Sequence, residues 1–341
     1  ALVEGTLTSS LDDASNFTDA EKTEINAGLS GTYGNIFKLY NNKVPYKGST
    51  TYDLYLFVDE NATEYQNTTF AAGVAVKSYE RERDILLADY VKSLYTGTQG
   101  ENGIYYHDAT LTNGAGDNSY RFAGASDQVN NYVCFGSTTT PCPADNLYRI
   151  IGVFGDQVKL IKSTSVENKA WNTGRKNTWS KSSLNNYLNN EFINTFDETT
   201  KGKIDTTTWK VGGFGDSSNL AKTVYYYEIN SSPNDNNKIG LMYASDYGFA
   251  AALSAWTTNL IDYDGAAIKN VNWMYMGISE WTISRYAGNS NDAFYVRETG
   301  YVTGYDVNVA NLRGVRPVFS LTSSVNYVSG SGTAADPISI N

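Results

Sequence analysis

"GVRPVF", residues 314–319, closes a tract of opposite character, "YAGNSNDAFYVRETGYVTGYDVNVANLR", residues 286–313. In the hexapeptide, Val315, Val318 and Phe319 read as core material, β-branched or aromatic and suited to a pleated, packed surface. Pro317 argues for an edge strand or a bulge, because proline has no N–H to give to a ladder. Arg313 and Arg316 read as ties to neighbouring loops. The tract before it is built from Tyr, Asn, Gly and Asp. These are turn formers, and Tyr, Asn and Gly, with Arg at anchor points, are also the residues that recognition loops favour. A fixed strand beside a permissive tract reads as a scaffold next to a binding face. The candidate ligand-binding residues are Tyr286, Asn289, Asn291, Asp292, Tyr295, Arg297, Tyr301, Tyr305, Asp306, Asn308 and Asn311. If the tract is strand-like and faces solvent, alternate residues share one face. The competing reading is a hydrated loop whose tyrosines simply pack at strand period.

Upstream of that close, "NLYRIIGVFGDQVKLIKS" predicts a hairpin turning at Gly155-Asp156. "TWSKSSLNNYLNNEFINTF" predicts a helix from Ser182 to Phe196, with Leu184, Tyr187, Leu188, Phe192 and Phe196 on one face. "TTTWKVGG" and "TVYYYEIN" read as strands, and "KIGLMYASDYGFAA" as an apolar strand running into a turn. "NWMYMGISEWTISRY", "AFYVRETGYVTGY" and "RGVRPVFSL" read as three closing strands, followed by a short hairpin in "YVSGSGTAADPISIN". Residues 98–145 carry short strand candidates but no long element. Residues 80–97, "ERERDILLADYVKSLYTG", read as a helix stopped at Gly97. Before it, 1–79 alternates strand patterns with turn signals and reads as a small β-rich unit.

Of 341 residues, 41% are hydrophobic and 18% charged, a composition that folds. The net charge of −10 and the lack of a basic stripe argue against nucleic acid and anionic membrane surfaces as partners. No apolar run is long enough for a membrane span. The chain opens at Ala1 in a strand-like sequence, which fits a mature or trimmed secreted protein. Cys134 and Cys142 flank a short turn-rich loop. They read as a local disulfide of an oxidising compartment, with two free buried thiols as the alternative.

Catalytic signatures are sparse. His107 is the only histidine, so any Ser-His-Asp or Cys-His arrangement must use it, and Asp108 is too close in sequence to orient its ring easily. A zinc site with several His is excluded by count. The glycine-rich "VGGFGD" and "GSGT" resemble phosphate loops in composition alone. "PNDNN" (233–237), "DYDG" (262–265) and "NSND" (289–292) offer oxygen ligands, which leaves structural calcium open. None fits an EF-hand, and Asx-rich turns commonly bond their own backbone. No other cofactor is expected.

The ordered set "YRIIGV" (148–153), "TWSKSSLNNYLN" (178–189), "LMYASDYG" (241–248), "WMYMGISEWTISR" (273–285) and "GVRPVF" resembles a domain family of Firmicutes extracellular surface proteins. Its ending is similar to the close of C-type lectin-like folds, among them the formylglycine-generating enzyme fold and the variable proteins of diversity-generating retroelements. In those folds the closing strand is core and the tract before it faces ligand. The catalytic relatives use active-site cysteines, whereas both cysteines here lie upstream of the lectin-like part, so the resemblance implies a binding module. The N-terminal part is faintly similar to β-sandwich fibre subunits that assemble by donating a strand, a role open to "ALVEGTLTSS".

The resulting expectation is an α+β chain with four parts: a sandwich-like β-rich domain at 1–79, a connecting helix at 80–97, a loop-rich segment at 98–145 and a C-type lectin-like domain at 146–341. Its expected function is a bacterial cell-surface protein presenting an adhesive or ligand-binding head to an extracellular glycan or protein. The alternatives are a subunit of a surface filament built from copies of itself and, last, a hydrolase.

Overall fold

A computed structural model describes residues 85–341 apart from Val309, all within the compact unit 82–341. The expected β-rich domain at 1–79, the donor strand "ALVEGTLTSS" and the first residues of the expected helix lie outside the described residues. Strands and short helices alternate through the rest, so the described part is a mixed α+β structure dominated by sheet.

The strands are β1 (Ile85–Leu86), β2 (Ile104–His107), β3 (Ser119–Phe122), β4 (Tyr132–Cys134), β5 (Leu147–Phe154), β6 (Gln157–Lys162), β7 (Glu167–Lys169), β8 (Thr207–Lys210), β9 (Asn234–Asn237), β10 (Ile239–Gly240), β11 (Glu280–Arg285), β12 (Asp292–Val296), β13 (Val302–Asp306), β14 (Arg313–Val315), β15 (Val318–Ser320), β16 (Asn326–Ser329) and β17 (Ile338–Ile340). The α-helices are α1 (Leu87–Ser93), α2 (Ser183–Asn190), α3 (Glu198–Gly202), α4 (Ala221–Ile229), α5 (Ala244–Phe249) and α6 (Gly265–Ile268). A ten-stranded sheet runs β1-β16-β17-β4-β5-β6-β15-β10, with β3 also pairing β5 and β2 pairing β3. A five-stranded sheet runs β13-β12-β11-β14-β7, and β8 pairs β9. Pairing crosses the expected boundary at 145/146, because β4 is antiparallel to β5.

The β5–β6 hairpin forms about the expected Gly155-Asp156 turn, and Gly155 takes the positive φ of 62° that this two-residue turn needs. Its register slips between Ile150 and Gly152. There a Cβ on Gly152 would stand 2.3 Å from the Tyr120 carbonyl oxygen, so only glycine lets β3 approach the bulge.

"GVRPVF" is not one edge strand. The chain breaks at Arg316-Pro317 and changes sheet. β14 lies between β11, to which it is parallel, and β7, to which it is antiparallel. β15 lies between β6 and β10 in the larger sheet. Proline sits where no ladder N–H is required, and its carbonyl still accepts from Lys162 N–H at 3.0 Å. The hexapeptide therefore joins the two sheets, and Val315, Val318 and Phe319 are fully buried as expected.

Three further expectations change. "TVYYYEIN" lies in helix α4 rather than a strand. Ala221, Val224 and Glu228 are buried at helical spacing, while Tyr226 and Tyr227 face solvent, so burial on one face overrides the β preference of three successive tyrosines. "KIGLMYASDYGFAA" gives the two-residue β10 and then α5, whose start is fastened by the Asp246 carboxylate accepting from Tyr243 N–H at 2.9 Å. "AFYVRETGYVTGY" is a hairpin, β12–β13, not one strand. The helix expected from Ser182 to Phe196 begins at the Ser182 cap, whose Oγ accepts from Asn185 N–H at 3.0 Å, and gives way to a 3-10 turn at Phe192–Thr195. The helix expected at 80–97 is helical at Leu87–Ser93, with Leu87, Ala88 and Val91 buried.

All six tryptophans are buried, whereas most of the described tyrosines are half-buried or exposed. The core also encloses charge. Asp246 receives Lys159 Nζ at 2.5 Å and lies 3.8 Å from Arg121. Arg121 in turn holds Asp117 at 2.7 Å. Cys134 and Cys142 form the disulfide. No helix among the described residues is long and apolar enough to cross a membrane.

Candidate functional site

The five-stranded sheet sorts the 286–313 tract by strand parity. On β12 and β13, Phe294, Val296 and Val302 are buried, and Phe294 stacks on Phe214 with centroids 3.8 Å apart. Odd-numbered residues point the other way. Tyr295 pairs with Trp281 on β11 and Thr303 on β13, and Tyr305 follows two positions on. Tyr295, Arg297 and Tyr305 thus share a cleft of about 410 Å³ with Ser279, Glu298, Ala310, Asn311, Leu312 and Arg313.

Arg313 is the centre of this cleft. Its guanidinium carbon lies 3.8 Å from the ring centre of Tyr295, 4.6 Å from Trp281 and 4.8 Å from Tyr305. Trp281 is held in place by its own Nε1–H, which donates to Lys169 O at 2.9 Å. Among the described residues no carboxylate reaches Arg313, and its buried Nε has no hydrogen-bond partner. Arg297 is already matched. It pairs with Glu298 at 3.1 Å and donates to the Tyr301 hydroxyl at 2.5 Å. Glu298 also accepts from Ser279, and these hydrogen bonds hold its carboxyl down at about 2. Among the described residues the cleft therefore carries one cation in excess, in a chain of net charge −10.

The remaining candidates gather at the other end of the hairpin. Tyr286, Asn289, Asn291 and Asp292 form a tip fastened by Asn177. The buried Asn177 amide donates to the carbonyls of Tyr286, Asn289 and Asp292 at 3.0, 2.6 and 2.7 Å. Asp292 and Asp306 oppose each other across β12–β13; burial first, and then the Asp306 charge, raise the Asp292 pKa. Asp306 and Asn308 are turned inward in successive Asx turns, with Asn308 buried, so they shape the loop. The eleven residues thus divide into a cleft group (Tyr295, Arg297, Tyr305 and Asn311), Tyr301, which meets the cleft only through its bond with Arg297, and a tip group.

A second, wider groove of about 1050 Å³ lies over α2 and the loop before it, lined by Asn172, Asn185, Asn186, Asn189, Asn190 and Asp235 among others. Sequence reasoning treated this segment only as a helix, although its density of asparagine was the available signal. In sequence Arg313 reads as a tie to loops; its place among three rings depends on β14 pairing with β11 and on the registers of β11 with β12 and β12 with β13, which the segment does not carry.

His107 touches neither cleft. It is fully buried, accepts from Ala115 N–H at 3.0 Å, and is pushed down to about 2 chiefly by burial. Among the described residues no group of three or more His, Cys, Asp or Glu side chains is placed to hold a metal ion. The calcium candidates spend oxygen atoms internally: Asp264 accepts from Ala266 N–H, Asn289 from Asn291 N–H, and Asp235 from Asn185.

Residues 155–323, which include every strand of the five-stranded sheet and both clefts, match a family model described as Domain of unknown function (DUF6273). No curated protein and no solved structure matches the chain.

Proposed function

We propose that this chain is an extracellular binding protein whose C-type lectin-like head presents the cleft around Arg313 to a ligand. The observation that carries the reading is the Arg313 guanidinium, enclosed by Tyr295, Trp281 and Tyr305 at the floor of an open cleft, with no acidic partner among the described residues. Such a cation is desolvated on its faces and keeps hydrogen-bonding capacity at its edge, which favours an incoming acceptor. The exposed Tyr305 ring and Leu312 supply apolar contact beside it. The lectin-like reading draws support from the join between the sheets, where the closing segment is core and the hairpin before it bears the open face. The Cys134–Cys142 disulfide supports an oxidising, extracellular setting. A binding role rather than hydrolysis accords with the position of His107 in the core, away from both clefts.

The test is retention of the full chain on arrays of glycans and surface proteins, comparing the wild type with a Tyr305→Ala/Arg313→Ala double variant that keeps its thermal unfolding transition. Loss of retention in the variant is expected. Equal retention of both proteins on every ligand would remove the cleft as the site.

A further inference from the structure

We infer that the ligand at this cleft is a carboxylated sugar, held by an in-plane contact of its carboxylate with Arg313 and by packing of its ring on Tyr305; this rests on the binding-module reading above. Charge sets the first part. Arg297 and Glu298 neutralise each other at 3.1 Å, so among the described residues Arg313 alone is in excess in the cleft, and it calls for one negative charge. The three rings cover the faces of the guanidinium, with Tyr295 as close as 3.8 Å, so an anion approaches along its edge. A planar carboxylate matches that edge with two parallel hydrogen bonds.

The sugar follows from what surrounds the cation. Tyr305 is 48% exposed and Leu312 58% exposed, which gives a ring platform and an apolar flank at the rim. The Asn311 amide donates to Asp306 O at 3.0 Å, leaving its own oxygen to accept a hydroxyl, and the Ser279 oxygen, whose hydroxyl donates to Glu298, keeps a lone pair to accept another. A hydroxylated ring bearing one carboxylate uses all of these groups. At about 410 Å³ the cleft has the size of a small-ligand site. A wholly apolar acid would leave the Asn311 oxygen without a partner.

The experiment is a titration of the isotopically labelled full chain, followed by amide and Trp indole chemical shifts. Four probes are used: a galacturonate trisaccharide, its methyl ester, the neutral galactose trisaccharide and an acidic hexapeptide. Arg313→Gln, Arg313→Lys and Tyr305→Ala are run beside the wild type, each checked for an unchanged thermal transition. The expected result is saturable shifts at residues 295–313 with the acid, at least about tenfold weaker binding of the ester and of Arg313→Gln, and partial recovery in Arg313→Lys. Binding of the acid should also weaken as salt is raised. Equal binding of acid and ester at the cleft would overturn the carboxylate and leave the binding module standing. Peptide binding at the cleft without any saccharide binding would overturn the sugar in the same way. No shift at the cleft with any probe would overturn both readings.

Discussion

Nε of Arg316 lies 2.7 Å from Oε1 of Glu280, and both side chains are almost wholly buried. Glu280 begins β11, directly beside Gly314 of β14, so the ion pair sits at the point where the closing segment leaves one sheet for the other. Arg316 also donates from Nη2 to Met274 O at 2.7 Å, which ties the join to the loop before β11. Burial pushes the Glu280 pKa up and Arg316 opposes that shift, so each charge depends on the other. Removing one partner strands the second in the core, at a cost of about 3–5 kcal/mol. Arg316→Met and Glu280→Gln should each lower the urea midpoint accordingly. The Arg316→Met/Glu280→Leu pair should cost clearly less than the sum, because no buried charge remains. Additive losses would show that the two residues act independently.

Two buried groups give the protein opposing responses to pH. His107 is held down at about 2 by burial, against an ordinary value of 6.5, with Arg121 adding to the shift and Asp117 opposing it. Below pH 6.5 the unfolded chain takes up a proton that the native His107 refuses, so stability is full above 6.5 and falls as pH drops. Glu228 is raised from 4.5 to about 7 by burial, with hydrogen bonds from Ser245 and Ser284 resisting and Asp246 reinforcing. The native state keeps that proton up to about pH 7, so its contribution is full below 4.5 and falls as pH rises. Between 4.5 and 6.5 the two slopes, each up to about 1.4 kcal/mol per pH unit, nearly cancel. Asp117 is held below its ordinary range: burial pushes it up, but Arg121 and the Ser119 and Tyr225 hydrogen bonds outweigh this, so its loss begins only below 3.8. Urea midpoints measured across the window should rise with pH in Glu228→Gln and fall with pH in His107→Gln. Parallel profiles in both variants and the wild type would refute the assignment.

What sequence revealed tracks what is local. The β5–β6 hairpin was legible because its apolar runs and its Gly155-Asp156 turn are local signals, and the Leu184, Leu188 and Phe192 stripe was legible for the same reason. The α4 helix was hidden. Three adjacent tyrosines mask the spacing of Ala221, Val224 and Glu228, and the partners that bury that face come from elsewhere in the chain. The parity of Tyr295 and Tyr305 was legible from strand period, so part of the cleft was too. Two features depend on which strands pair: the split of "GVRPVF" between sheets and the three rings around Arg313. Neither pairing is written in the segment itself.

The Cys134–Cys142 bridge closes a loop of only eight residues' separation, and in the chain-entropy view its contribution grows with the logarithm of loop length. A loop of this size predicts about 2–2.5 kcal/mol. Cys134 belongs to β4, which β17 and β5 flank, so the cross-link secures the middle of the larger sheet. The Cys134→Ser/Cys142→Ser variant should lose about that much stability, and reduction of the wild type should reproduce the loss. An unchanged urea midpoint in both experiments would mean that the sheet alone holds the loop.

Asn177 fastens the backbone at the tip of the β11–β12 connection. Its amide nitrogen is shared among the carbonyls of Tyr286, Asn289 and Asp292, and its backbone N–H donates to Ser290 O at 2.9 Å. The residue is 1% exposed; Asp292 O also accepts from Tyr286 N–H, whereas Asn289 O has Asn177 as its donor among the described residues. Asn177→Ala removes the donor and should cost about 1–3 kcal/mol locally, with water taking up part of the loss at the exposed tip. Asn177→Asp should be worse, since it places a carboxylate against three carbonyl oxygens with only Arg285 Nη1, at 3.4 Å, to relieve it. Hydrogen exchange separates this from a general weakening of the sheet. The Tyr286 amide, bonded to Asp292 O, should lose protection, and so should Val307, bonded to Asn291 O, while Ile283, bonded to Met242 O, keeps it. Equal loss at all three amides would make Asn177 a general core residue, and no loss at any would leave the tip held by its own turns.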